Sequence, residues 1–251
     1  MAKAQNLNWF MRWFYRMASP PHFYRWAGRY APWLGGVGLL CLLYGTWGGL
    51  VSSPPDYQMG DGVRIIFVHV PAAWLSMMSY TLMAVAAGIG LIWRMKLAHA
   101  VAASCAPIGA AFTFLTLFSG SLWGKPMWGT WWEWDARMTS ELLLLFLFLG
   151  YIALRNSFTE RDKADRVSAI LAVVGVINVP IIHFSVDWWN TLHQPASVTR
   201  LDAPGIHASM LVPLLVMAIG FTLFFAYVLL VRTQGEILLR ERQTKWVNDI
   251  K

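Results

Sequence analysis

The sequence predicts an all-α membrane protein with six transmembrane helices and both termini on the cytoplasmic side. Three observations carry that prediction. The 251 residues are 57% hydrophobic and only 13% charged, about half the charged fraction usual in soluble domains. Mean hydropathy is +0.48, and the apolar residues gather into six long runs. The Lys and Arg residues fall almost entirely between alternate runs.

The hydrocarbon core is about 30 Å thick, so a helix needs roughly 20 apolar residues to cross it. The expected spans are Pro32–Val51, Val70–Trp93, Ala98–Leu122, Thr139–Leu154, Val167–Phe184 and Ser209–Val231. The fourth is the shortest. Long unbroken runs mark helices, whereas barrel strands give ten-residue segments of alternating polarity. Residues 1–31 mix Arg with Trp, Phe and Tyr and lack a compact apolar stretch, so no cleavable signal peptide is expected. They read as a cytoplasmic or interfacial segment. The six-span domain covers 32–231, and 232–251 form a cytoplasmic tail.

Orientation follows from basic residues in short loops. Lys3, Arg12, Arg16, Arg25 and Arg29 precede span one, and Arg94 and Lys96 join spans two and three. Arg155, Arg161, Lys163 and Arg166 join spans four and five; Arg232, Arg240, Arg242, Lys245 and Lys251 follow span six. That places 16 of 20 basic residues on one side, leaving Arg64, Lys125, Arg137 and Arg200 on the other. An even number of spans is therefore required. The net charge of +7 is a topology signal, and no nucleic-acid partner is expected. Cys41 and Cys105 each lie inside a span without a CxxC pattern, which supports neither a zinc ribbon nor a dithiol redox centre.

The outer loop 123–138, between spans three and four, holds Trp123, Trp128, Trp131, Trp132 and Trp134; Trp188 and Trp189 add two more in the next outer loop. An interfacial aromatic belt would spread Trp over both faces. Gly124, Pro126 and Gly129 argue against a continuous helix there. Trp offers a large rigid face with one N–H donor, so the loop suits a planar apolar ligand with polar edges, such as haem. Arg64, Arg137 and Lys125 are candidates for binding its carboxylates, in competition with pairing to Asp135, Glu133 or lipid phosphate.

Of six histidines, His22 and His99 lie on the cytoplasmic side, while His69, His183, His193 and His207 lie at outer ends of spans. Neutral imidazole is a standard axial ligand of haem iron. His69 precedes Pro71, a proline suited to a first helical turn. His193 follows Trp188 and Trp189. His183 is expected to be embedded with a structural hydrogen bond, and His207 to begin span six. Spacing alone does not choose the pair.

The run from Trp123 to Arg137, WGKPMWGTWWEWDAR, resembles the WWD signature of haem-handling proteins of bacterial cytochrome c biogenesis. Further matches are Tyr57-Gln58, Arg64 to Ala73, Pro180 to His183 and Trp188 to Gln194. Together they resemble the six-span CcmC family. The resemblance implies bacterial inner-membrane residence and haem b at the periplasmic face, with His69 and His193 as axial ligands. The expected site is His69, His193, Trp123, Trp128, Trp131, Trp132, Trp134, Asp135, Arg64 and Arg137. It also implies delivery of haem to the periplasmic chaperone CcmE, and partners CcmA, CcmB and CcmD. The chain has no Walker A pattern, so ATP hydrolysis falls to a partner. A transmembrane haem permease subunit is the alternative, with Glu141 and Asn178 as intramembrane polar candidates; a membrane redox enzyme lacks a second redox centre.

Overall fold

The computed structural model describes residues 8, 9, 12, 18–193 and 206–250. Lys3, Arg16, Arg200 and Lys251, counted above among the loop cations, and Gln194 of the resemblance lie outside them. The described chain is helical: α1 (Pro20–Trp47), α2 (Ile66–Trp93), α3 (Lys96–Trp128), α4 (Ala136–Asn156), α5 (Arg161–Gly175), α6 (Asn178–Trp188), α7 (Ala208–Arg240) and a short α8 (Lys245–Asn248). Six stretches are long and apolar enough to cross a membrane, the fifth formed by α5 and α6 together.

Each span extends beyond its apolar run. The first begins at Pro20, not Pro32, because Pro20 and Pro21 occupy the first turn of α1, where a missing N–H costs nothing. A single π turn, Gly48–Ser52, continues it. The second begins with a 3-10 turn, Asp61–Ile65, that runs directly into α2. His69 therefore sits one turn inside a helix, ahead of where the apolar run begins. The third runs on through Gly124 and Pro126 and stops at Gly129, correcting the expected break. A proline so close to a helix end removes only one backbone bond. Termination falls to Gly129, whose φ of 78° is the left-handed conformation glycine adopts without strain.

Span five is broken where the sequence suggested continuity. Pro180 would clash with the carbonyl four residues earlier, so α5 ends at Gly175 and α6 restarts at Asn178, putting Pro180 in its first turn. Tyr80 of α2 fills the space beside Gly175, which has no room for a Cβ. The Asn178 amide donates to the Ser140 carbonyl of α4 at 2.9 Å, fixing the restart against its neighbour.

The main core lies between α2, α3, α4 and α5, around Tyr80, Met83, Cys105, Leu144, Phe148 and Tyr151. Tyr80 and Phe148 meet edge to face at 4.9 Å. Helix α1 lies outside this group and packs antiparallel on α7. A Cβ on Gly45 would lie 3.1 Å from Met217 Cα, and one on Gly220 3.0 Å from the Leu42 backbone nitrogen. Small residues permit such close backbone approach, and packing of this kind drives helix association in lipid.

Candidate functional site

The Trp-rich segment, the start of α2 and the end of α6 lie at the same end of the bundle. The site starts from His69. Its ring is buried on α2, and Nδ1 lies 3.0 Å from Ser119 Oγ of α3. That hydroxyl also donates to the Leu115 carbonyl. Gly120 makes the approach possible, since a Cβ there would lie 3.0 Å from His69 Cε1. A hydrogen bond to one ring nitrogen sets which way the other faces.

His193 comes from the segment after α6. Its ring centre lies 6.3 Å from that of His69, with 31° between the planes. Two imidazoles sharing one metal ion, with bonds of about 2 Å each, have ring centres roughly 6–6.5 Å apart. Trp123 meets His69 edge-on at 5.8 Å, and Trp128 lies 6.4 Å from His193. The extended α3 thus carries one Trp to each histidine.

Asp135 connects the two outer segments. One carboxylate oxygen accepts the Met138 N–H at 2.7 Å and caps α4. The other accepts from the Thr191 hydroxyl. Thr191 Oγ1 in turn accepts the His193 N–H at 3.1 Å. Asp135 thereby ties the Trp-rich segment to the backbone that carries His193. Asp135→Ala is expected to lose the cap, about 1 kcal/mol, and to loosen His193. A lower thermal midpoint together with a lower content of bound haem checks this; Asp135→Asn, which keeps a capping oxygen, should lie between. Unaltered haem content in Asp135→Ala would show that the tie does not hold His193.

The other predicted residues divide. Trp132 is half-buried against Trp134, their rings 5.3 Å apart, while Trp134 is 73% and Trp131 53% exposed. Lys125 donates to the Gly129 carbonyl at 3.0 Å and lies over Trp131. Arg64 reaches the carbonyls of Leu50 and Ser53 and pairs with Asp61 at 3.0 Å. It caps the π turn that ends the first span, a role no spacing announces. Arg137 is half-buried in the first turn of α4. His207 caps α7, its ring accepting from the Ser209 N–H. His183 is not embedded: it is exposed beside Phe184, because α6 buries Ile182 and Ser185 on the opposite face. Thr191, Ser119 and Gly120 were missed; their roles depend on a helix register that sequence does not display.

The donor set fits a haem. Among the described residues no group of three His, Cys, Asp or Glu could hold a bare metal ion, which commonly needs three or four protein ligands. Two imidazoles suit a metal that brings its own equatorial ligands. The indole N–H groups of Trp123 and Trp132 are buried without partners, and buried donors are normally satisfied.

Fold and site define a polytopic α-helical membrane protein of the tryptophan-rich WWD type. Residues 13–248 match the CcmC family, described as heme exporter protein C. Heme exporter protein C of Escherichia coli K12 is 50% identical over 236 residues, covering 94% of this chain and 95% of its own. That of Bradyrhizobium diazoefficiens is 50% identical over 224 residues, 89% and 85% of the two chains. A Marchantia polymorpha protein named as a "cytochrome c biosynthesis ccmC-like mitochondrial protein" is 45% identical over 186 residues, 74% and 78%. The chain belongs to the CcmC family.

Proposed function

We propose that this protein binds haem b at the periplasmic face of the bacterial inner membrane and presents it to the chaperone CcmE during c-type cytochrome maturation. The observation that carries the reading is the His69–His193 pair, 6.3 Å between ring centres, flanked by Trp123 and Trp128. Family membership and the relatives' names, heme exporter and cytochrome c biosynthesis, support it. The Lys and Arg asymmetry supports placing the site outside, with N- and C-termini inside.

Haem, when bound, supplies an iron with its own equatorial ligands. His69 and His193 would hold it, and Ser119 and Thr191 orient the two imidazole-bearing segments. Trp123, Trp128 and Trp132 wall the ring, while exposed Trp131 and Trp134 offer the face on which a chaperone docks. Arg137 is the cation we assign to a propionate; Arg64, the other candidate, also binds the Leu50 and Ser53 carbonyls and Asp61. CcmA, CcmB and CcmD are the expected partners, with ATP hydrolysis supplied by CcmA.

Transport of haem through this chain alone is the weaker reading. Beneath the site Tyr80, Met83, Leu144, Phe148 and Tyr151 pack into a close apolar core. The test is transfer. Purified, haem-loaded protein mixed with CcmE should hand its haem to the chaperone. Retention of all the haem would refute presentation, and haem accumulation in sealed vesicles containing this chain alone would favour transport.

A further inference from the structure

A serine or threonine inside a helix often returns its hydroxyl proton to the carbonyl one turn back. Ser79 of α2 and Ser104, Thr113 and Thr116 of α3 all do so. Ser119 does the same: Oγ donates to the Leu115 carbonyl at 2.6 Å, with the Thr116 carbonyl next at 3.3 Å. It differs from those four in also meeting a side chain of another helix, His69 Nδ1 of α2 at 3.0 Å. Both groups are buried, Ser119 to 4% and His69 to 7% exposure.

A hydroxyl carries one hydrogen and two lone pairs. The hydrogen of Ser119 goes to the nearer acceptor, the Leu115 carbonyl. What Oγ keeps for His69 is a lone pair, and a lone pair calls for an N–H opposite. The single proton of a neutral His69 ring therefore belongs on Nδ1, which leaves Nε2 bare. Donating to a carbonyl also polarises Oγ and strengthens it as an acceptor. Gly120 supplies the room. A Cβ there would lie 3.0 Å from Cε1 and 3.6 Å from Nδ1 of His69, so the Nδ1–Cε1 edge of the ring rests on α3. Nε2 is the one nitrogen left for a ligand.

We propose that Ser119 is a positioning residue that keeps the His69 proton on Nδ1, so that Nε2 offers the iron a free electron pair. The inference deepens the haem-presenting reading and rests on it. Ser119 acts on the iron only through His69. A ligand imidazole whose other N–H is hydrogen-bonded is the more basic donor, and a more basic donor favours oxidised iron. The same contact sets the ring before haem arrives, so the tautomer is a property of the haem-free chain.

The test uses the full chain in lipid nanodiscs, with histidine labelled by nitrogen-15. In the haem-free protein, nitrogen NMR of His69, assigned by its loss in His69→Ala, should show a protonated Nδ1 and a bare Nε2. Ser119→Ala should shift the proton towards Nε2. On titration with haem, Ser119→Ala should bind about tenfold more weakly, and the reduction potential of its bound haem should rise. Ser119→Thr keeps the hydroxyl and should restore tautomer, affinity and potential. A wild-type proton on Nε2 overturns the proposal. So does a folded Ser119→Ala in which the tautomer, or both the affinity and the potential, match wild type. Should Ser119→Ala fail to fold, Ser119→Cys takes its place. Its sulfur has nearly the same shape and is a weak acceptor, and the same outcomes decide. If wild-type chain binds no haem, or His69→Ala binds it equally well, the parent reading fails and takes this one with it. If binding needs His69 and Ser119→Ala is indistinguishable from wild type, only this inference fails.

Discussion

Purified protein carrying either His69→Ala or His193→Ala is expected to lose the six-coordinate haem spectrum of the wild type, and the double variant to retain almost no haem. In the proposed site each imidazole would supply one bond to the iron, so removing one would leave a coordination position open to a foreign ligand. Affinity should drop at least tenfold, about 1.4 kcal/mol, for either single change. The two positions should not respond alike in stability. His69 is buried and engages Ser119 and Trp123, so its truncation leaves a cavity between α2 and α3. His193 is half-buried at the rim of the bundle, and its loss should leave the thermal midpoint close to wild type. A wild-type spectrum in both single variants would remove these residues from the site.

The largest loss of stability is expected far from that site. At the opposite end of the bundle Arg240 of α7 grips Asp165 of α5 with two bonds, 2.7 and 2.8 Å. It also binds Glu236 at 2.9 Å. Arg155, from the last turn of α4, reaches Asp165 and Glu236. The Asp165 and Arg240 side chains are only 4% and 9% exposed. Asp165→Ala leaves two buried guanidinium groups facing one carboxylate, and breaking a buried pair typically costs about 3–5 kcal/mol. Thermal unfolding in detergent should show a large drop. Arg161, half exposed and 3.5 Å from Glu236, is the internal control: Arg161→Ala should cost about 1 kcal/mol or less. Equal midpoints for the two variants would mean that the cluster contributes nothing beyond surface pairing.

Much of this architecture was legible in the chain. Six apolar runs became six membrane-length stretches because hydropathy reports the one constraint a bilayer imposes on every span. The ends were less legible. Helices α1, α3 and α7 continue past their apolar runs, since backbone hydrogen bonding does not stop where hydrophobicity does. The break before Asn178 had a readable cause in Pro180, overlooked because the surrounding run is uniformly apolar. In the site, family resemblance picked out His69 and His193, and the structure brings them together. Arg64 illustrates the opposite case. Its guanidinium serves backbone carbonyls at the end of the first span, and which carbonyls a turn leaves free is a property of the folded chain. Thr191 and Ser119 are common residue types in unremarkable positions; only the meeting of separate helices gives them a role.

The close contact between α1 and α7 has a consequence for how the protein is made. These are the first and last long helices among the described residues, and Gly38 and Gly45 of the first, with Gly48 of the π turn that follows it, face Gly220, Met217 and Pro213 of the last. During translation α1 enters the bilayer with its small-residue face bare and keeps it so until nearly the whole chain has left the ribosome. The seam therefore closes only once Ala208–Arg240 has entered the bilayer, and a chain stalled before Ala208 would leave the Gly38 and Gly45 face of α1 uncovered.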